Sequence, residues 1–442
     1  MPPIQSTIIP TSKIFHGEKN FICLVCNMFR ALFILRFVDI KICVLYNFTM
    51  EKMRVAVFTD SYYPIIDGVV SVIDNYAARL TELGCDVTVF APASRKRGYV
   101  DDKPYKVVRC KTFKLLWLEY DLPMPNSDIS FKRYLKENVY DIVHIHSPFS
   151  IGKLGMEYAQ KNHIPCVITM HSQFKRDFYR QTKSRLLTKY MLSTIMKVFN
   201  GCDYAWAVNQ AVANVFKEYG YIKQPLVVTN ASDMLPVPDL DTAKAHVNEL
   251  YNIDSEANVF LFVGRLNLVK NLAFLLQAVK LYKQQNSNFK LIMAGSGQDD
   301  LRIRTLAKEY KLDDVIIFTG ALTDRNLVAE LFARADLFCF PSLYDCSSIV
   351  QIEAASQHTP TLFLKGAVTA STVTDNQNGY LSDNSPQAFA DKMYEIISDK
   401  QKLQTISDNA FNELYVHWDT QMNHVLNLYK EAISEYKKSH AE

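Results

Sequence analysis

Several classes of function are made unlikely by what this chain does not contain. Its 442 residues hold no low-complexity tract and no internal repeat. A formal net charge of +3 is too slight to make the whole molecule a nucleic-acid binder, so any basic surface must be a local patch. The nine cysteines lack metal spacing apart from a lone Cys23-x2-Cys26 without a second pair, which points to reduced thiols and a cytoplasmic fold. No strand-end loop carries an Asp-x-Asp element, so no metal site is expected. Long apolar runs are missing too. Between Asn20 and Phe48 the chain is rich in Cys, Phe, Ile, Leu and Val, but Arg30, Arg36, Asp39 and Lys41 break it well short of the ~20 residues that span a bilayer. This stretch also lacks the small-residue cleavage site of a signal peptide.

What is present reads as ordinary globular protein, 48% hydrophobic and 21% charged. The length suits roughly two or three domains. Residues 1–52 do not match the rest, and a clean start at Met53-Arg54-Val55-Ala56-Val57-Phe58 suggests that translation begins at Met50 or Met53; the competing reading is a short membrane-surface anchor. From Met53 onward strands and helices alternate, the pattern of βαβ units and a parallel sheet. Strands are expected at 54–59, 86–91, 105–110, 141–146, 165–169, 203–207 and 225–229, with helices at 69–83, 151–161, 185–200 and 210–219. A less patterned linker over 231–257 follows. A second alternation then places strands at 259–264, 290–295, 315–319, 336–340, 360–364 and 379–381. The expected organisation is therefore α/β, with two Rossmann-like domains, 53–230 and 258–417, facing across a cleft, and a helix over 418–442 that packs back across them.

In open parallel sheets, ligands bind beyond the carboxyl ends of the strands. Four places there stand out. Val263-Gly264-Arg265-Leu266-Asn267-Leu268-Val269-Lys270 puts two cations after an apolar run, where a diphosphate could be held. The loop Asp60 to Gly68 ends in Ile66-Asp67-Gly68-Val69, whose glycine lets backbone N–H groups approach an anion at a helix start. Thr169-Met170-His171-Ser172 exposes His171 to the cleft. Beyond Gly295-Ser296-Gly297, the segment from Phe340 to Ala355 sets Asp345 in a strand-end loop and Glu353 within the next helix. His144 and His146 alternate along their strand and are placed on opposite faces, poor metal partners for each other.

These motifs, in this order, resemble the retaining glycosyltransferases of family 4, which have the GT-B fold. The resemblance implies that Gly264, Arg265 and Lys270 form the Gly-Arg-x4-Lys element that contacts a donor diphosphate. Asp345-x7-Glu353 is similar to the family's E-x7-E. It implies that Asp345 and the adjoining Ser347, Ser348 and Ile349 hold the donor sugar, that Glu353 binds ribose hydroxyls, that Gly68 belongs to the donor site and that His171 lies near the reacting sugar. Arg265, Lys270, Asp345 and His171 are then the catalytic set. Departures are visible: Asp345 replaces the commoner Glu, Cys346-Ser347-Ser348 lacks the usual glycine, and Asn230-Ala231-Ser232-Asp233 departs from Asn-Gly-x-Asp.

Lys175, Arg176, Arg180, Lys183 and Arg185, interleaved with apolar residues, read as a basic amphipathic surface that lies on an anionic membrane and admits a lipid acceptor; a solvated helix face is the alternative. The resemblance extends to the diacylglycerol-glucosylating branch. It implies metal-independent transfer of a hexose from a nucleotide diphosphate sugar, UDP-sugar favoured, to a membrane lipid at the inner face of the plasma membrane, with no cofactor and no nucleic-acid partner. A transferase that extends a cell-surface glycan and a non-catalytic nucleotide-sugar-binding module remain the alternatives.

Overall fold

The computed structural model describes residues 52–65, 67–96, 98–114 and 121–440. The readings made for residues 1–51 and for Ile66 lie outside the described residues.

Two parallel sheets organise the unit Arg54–Glu442. The first comprises β1 (Arg54–Phe58), β2 (Asp86–Pro92), β3 (Lys106–Cys110), β6 (Ile142–Ile145), β7 (Cys166–Met170), β8 (Tyr204–Ala207) and β9 (Leu226–Val227), ordered β3-β2-β1-β6-β7-β8-β9. A small antiparallel pair, β4 (Thr112–Phe113) and β5 (Leu122–Pro123), lies apart from it. The second sheet is built of β10 (Asn258–Val263), β11 (Phe289–Ala294), β12 (Ile316–Gly320), β13 (Leu337–Phe340), β14 (Thr361–Leu364) and β15 (Tyr380–Ser382), ordered β12-β11-β10-β13-β14-β15. Central strands are covered on both faces, so they read as apolar runs: Val55 to Phe58 and Val259 to Phe262 are all buried. In each sheet the chain order reverses once, between β1 and β6 and between β10 and β13. Those are the two switch points at which a doubly wound sheet opens a crevice.

Local chemistry sets the helix that follows β6. Asp60, at the end of β1, caps helix Ser150–Asn162 by accepting from the amide of Ile151 at 2.8 Å. Burial pushes its carboxyl up to about 6. Gly152 and Gly155 let this helix press onto the sheet: a Cβ on Gly152 would stand 1.8 Å from the carbonyl oxygen of Ser147, and one on Gly155 would stand 2.6 Å from the Phe58 ring.

The stretch read as a linker holds a helix, Leu240–Tyr251, capped by Asp239 and closed by Asn252 at φ 51°. Its only buried residues are Ala243 and Val247, a face too narrow to give a clear 3.6-residue period. Arg334 ties it to the second sheet by donating to Asn248 at 2.6 Å. The last helix, Trp418–Ser439, returns to the first sheet. Its Tyr429 stacks on Trp206 of β8 at 5.6 Å, and Arg79 of helix Gly68–Glu82 pairs with Asp419 at 3.0 Å. Among the described residues no helix is long and apolar enough to cross a membrane.

Two alanine substitutions should separate the packed glycines from the open one. Gly152→Ala should lower unfolding free energy by about 3 kcal/mol through overpacking. Gly68→Ala, whose Cβ meets nothing within 4 Å, should stay within about 0.5 kcal/mol of the parent. Chemical denaturation of both variants checks this, and equal losses would contradict the packing described.

Candidate active site

The loop leaving β10 is held by backbone pressed on backbone. Gly264 takes φ 153° and donates to the carbonyl of Ala294 at 3.0 Å, and Leu266 donates to Ser296 at 3.0 Å. A Cβ on Gly295 would fall 2.0 Å from the oxygen of Gly264, and one on Gly297 would fall 2.3 Å from that of Leu266. The Gly295-Ser296-Gly297 element thus makes room for the neighbouring loop. Asp299 accepts from the amide of Leu268 at 2.8 Å and Asn267 caps the short turn Leu268–Lys270. That turn delivers Lys270 to Asp345 of the loop after β13. Lys270 Nζ donates to Asp345 Oδ1, Ser342 Oγ donates to Oδ2, and the Phe340 ring lies 5.4 Å from the ammonium. Both partners are mostly enclosed, 18% and 17% exposed. Arg265 is exposed at the same strand end.

The loop carrying Asp345 rests on the other half of the molecule. Gln173 Nε2 donates to the carbonyl of Tyr344 at 3.0 Å, Arg176 to that of Leu343 at 2.9 Å and Asn209 to that of Cys346 at 2.7 Å. Tyr344 donates its hydroxyl to Asp177, Asn230 donates to Ser347 Oγ at 3.1 Å, and Cys346 packs into the apolar core of the first sheet. Ser348 precedes the helix Ile349–Ser356 as its cap residue, but its buried hydroxyl has no partner among the described residues.

Within that helix Glu353 is buried and accepts from Arg325 at 2.7 Å; Arg325 also donates to Asp233 at 3.2 Å. Burial raises the Glu353 carboxyl and the guanidinium opposes the rise. Arg325 is a residue that sequence reasoning missed: it opens the helix Arg325–Arg334, where a cation carries no motif. The aberrant Asn230-Ala231-Ser232-Asp233 element was the available signal, since both of its polar ends contact this site.

On the first sheet, Asp67 caps helix Gly68–Glu82 by accepting from Val70 at 2.8 Å, which leaves Gly68 exposed at its start. His171 follows β7 and its Nε2 lies 3.0 Å from Nδ1 of His146. The expectation for His144 and His146 is overturned. Residues two apart on a strand share a face, and the two ring centroids lie 4.1 Å apart with the rings tilted by 36°.

The basic surface divides in two. Arg176 and Arg180, though exposed, lie over the Tyr344 ring at 5.7 and 5.5 Å and so contact the second half. Lys175, Lys183 and Arg185 stay exposed. Lys175, Arg185, Lys189 and Lys197 rim a cavity of about 1150 Å³ lined by Leu192 and Met196. On the adjoining helix Arg185–Gly201, Leu186 and Tyr190 are 81% and 69% exposed.

Arg325→Ala should destabilise the protein by roughly 1–2 kcal/mol at neutral pH, less than for a fully buried pair because Arg325 is half exposed. Without the guanidinium the Glu353 carboxyl rises further. A carboxyl whose folded-state pKa lies above its unfolded value loses stability as pH rises, so the deficit should narrow as pH falls from 7 to 5. Unfolding curves at both pH values check this; a deficit independent of pH would contradict the pairing.

Among the described residues no group of three or more His, Cys, Asp or Glu is placed to hold a metal ion. Comparison with known proteins agrees with the architecture. A model described as Glycosyltransferase Family 4 matches residues 66–231, and one described as Glycosyl transferases group 1 matches residues 247–413. The alpha-monoglucosyldiacylglycerol synthase of Acholeplasma laidlawii is 25% identical over 377 residues, covering 81% of this chain and 92% of that protein. Among solved structures, sucrose-phosphate synthase from Thermosynechococcus elongatus matches with a TM-score of 0.72 at 19% identity, over 87% of this chain and 100% of that one. Anabaena HepE in complex with UDP-glucose matches with a TM-score of 0.67 at 17% identity, over 85% of this chain and 99% of that one. With a glycosyltransferase model on each half and the two-sheet GT-B arrangement, the chain belongs to the family 4, group 1, glycosyltransferases.

Proposed function

We propose that this glycosyltransferase moves a hexose, glucose favoured, from a nucleotide diphosphate sugar to a membrane-lipid acceptor such as diacylglycerol, with retention and without a metal. The observation that carries the reading is the contact of Lys270 with Asp345. It joins the loops leaving β10 and β13, the two strands that flank the switch point of the second sheet. As the anomeric carbon separates from the diphosphate, the leaving group gains negative charge. Arg265 and Lys270 stabilise that charge more in the transition state than in the ground state. Asp345 holds the Lys270 ammonium in place and, with the amides of Ser347, Ser348 and Ile349, takes the donor sugar. Its carboxylate is one methylene shorter than the family's usual Glu. The second carboxylate, Glu353, takes ribose hydroxyls while Arg325 opposes the rise that burial gives its carboxyl. Gly68 sits opposite, at the start of its helix, and His171 faces the reacting sugar.

UDP as the donor nucleotide is supported by HepE, whose structure holds UDP-glucose. The lipid acceptor is supported by the relative from Acholeplasma laidlawii, named for a monoglucosyldiacylglycerol product. It is also supported by the surface where Leu186 and Tyr190 project beside Lys183, Arg185 and Lys189. Such a surface suits peripheral binding at the inner face of the plasma membrane, each cation adding about 1 kcal/mol near anionic lipid.

Lys270→Ala and Arg265→Ala should each lower turnover by about 100-fold or more while the protein stays folded. The assay follows radiolabelled sugar from UDP-glucose into diacylglycerol. Near-normal rates in both variants would remove the assigned roles, and label entering a longer glycan instead would remove the lipid acceptor.

Replacing Leu186 and Tyr190 by Ser and Lys183, Arg185 and Lys189 by Glu should abolish sedimentation with phosphatidylglycerol liposomes at low salt. Failure of the parent protein to sediment under those conditions would refute the membrane docking.

A further inference from the structure

His146 is 3% exposed, and its two ring nitrogens have different company. Nδ1 lies 3.0 Å from Nε2 of His171, whereas Nε2 is buried with no hydrogen-bond partner among the described residues. Its neighbour His144 is satisfied on both sides, by Tyr429 at 2.6 Å and Thr169 at 2.7 Å, so it offers no third bond. One proton lies between His146 and His171, and its position decides the chemistry of His171.

Suppose His171 donates from Nε2. Then His146 must carry its own proton on its buried Nε2, as an N–H with no acceptor. Suppose instead that His146 donates from Nδ1. Then its buried Nε2 is a bare lone pair, and His171 carries its proton on Nδ1. An orphaned buried donor is rarer and more costly than an under-used acceptor, so the second arrangement prevails. The Tyr76 ring, edge-to-face with His146 at 5.4 Å, offers only a weak ring contact in place of an acceptor.

We infer that His146 is a positioning residue that fixes the tautomer of His171, so that His171 meets the sugar as a neutral N–H donor from Nδ1 and not as a base. Nδ1 of His171 has no protein partner among the described residues and is not sealed in the interior. A hydroxyl oxygen of the hexose is the chemical class it suits. Burial pushes the imidazole down to about 4, so it stays uncharged at neutral pH. This inference rests on the proposed place of His171 beside the reacting sugar, but the tautomer is measurable without any substrate.

The test uses the full chain labelled with 15N-histidine, the His171 signals being assigned by their loss in His171→Ala. Two-bond 1H–15N spectra of the parent should show His171 protonated at Nδ1 and bare at Nε2. In His146→Phe the donor to His171 Nε2 is lost, so the Nε2-protonated form should become populated beside the Nδ1 form, and turnover should fall roughly tenfold, the worth of one hydrogen bond, with little change in KM for UDP-glucose. His146→Asn places an amide N–H near the former Nδ1 and should restore both the tautomer and most of the turnover. Protonation of His171 at Nε2 in the parent would overturn the inference, as would full turnover in a folded His146→Phe. Normal turnover in His171→Ala would remove the place of His171 in the proposed function, and with it the sugar contact, while leaving the measured tautomer standing.

Discussion

The loop from Leu343 to Ser347 grows out of one sheet and is held by the other. Its carbonyls at Leu343, Tyr344 and Cys346 accept from Arg176, Gln173 and Asn209, and the side chain of Cys346 is buried in the apolar core of the first sheet. Backbone carbonyls withdrawn from water must find donors, and three of this loop's donors come from across the cleft. Asp345 is thereby placed by both halves at once, and Lys270 with it. A site built this way couples the position of Asp345 to the relation between the two sheets.

That coupling gives the basic segment after β7 a divided role. Arg176, Asp177 and Arg180 surround Tyr344, while Lys175, Lys183 and Arg185 of the same segment stay in solvent. A charge pattern reports that cations are numerous. It does not report which of them a partner loop will claim, because that depends on helical phase and on a loop more than a hundred and fifty residues away in the chain.

Buried polar groups mark both halves of the site in the same way. Glu353 is sealed in its helix with Arg325 as counter-ion, and His146 is sealed behind His171 with one nitrogen unpaired. Each costs stability unless its partner is in place. Each also holds a polar neighbour in place, Arg325 for Glu353 and His171 for His146.

Much was legible in the residues themselves. The apolar runs that became β1 and β10 are buried on both faces, and that burial is what makes them readable as strands of a parallel sheet. Their order of alternation with helices limited the topology to a doubly wound one. Gly264, Arg265 and Lys270 were legible because a strand end, a glycine and two cations lie within eight residues. The helix Leu240–Tyr251 was not, since only two of its side chains are buried. The shared face of His144 and His146 follows from the strand period of two, whereas the pairing of Arg325 with Glu353, the contact of His146 with His171, and the claim of Tyr344 on Arg176 were decided by tertiary structure alone. Each joins residues distant in the chain, or depends on the hydrogen-bond needs of atoms whose burial no local pattern records.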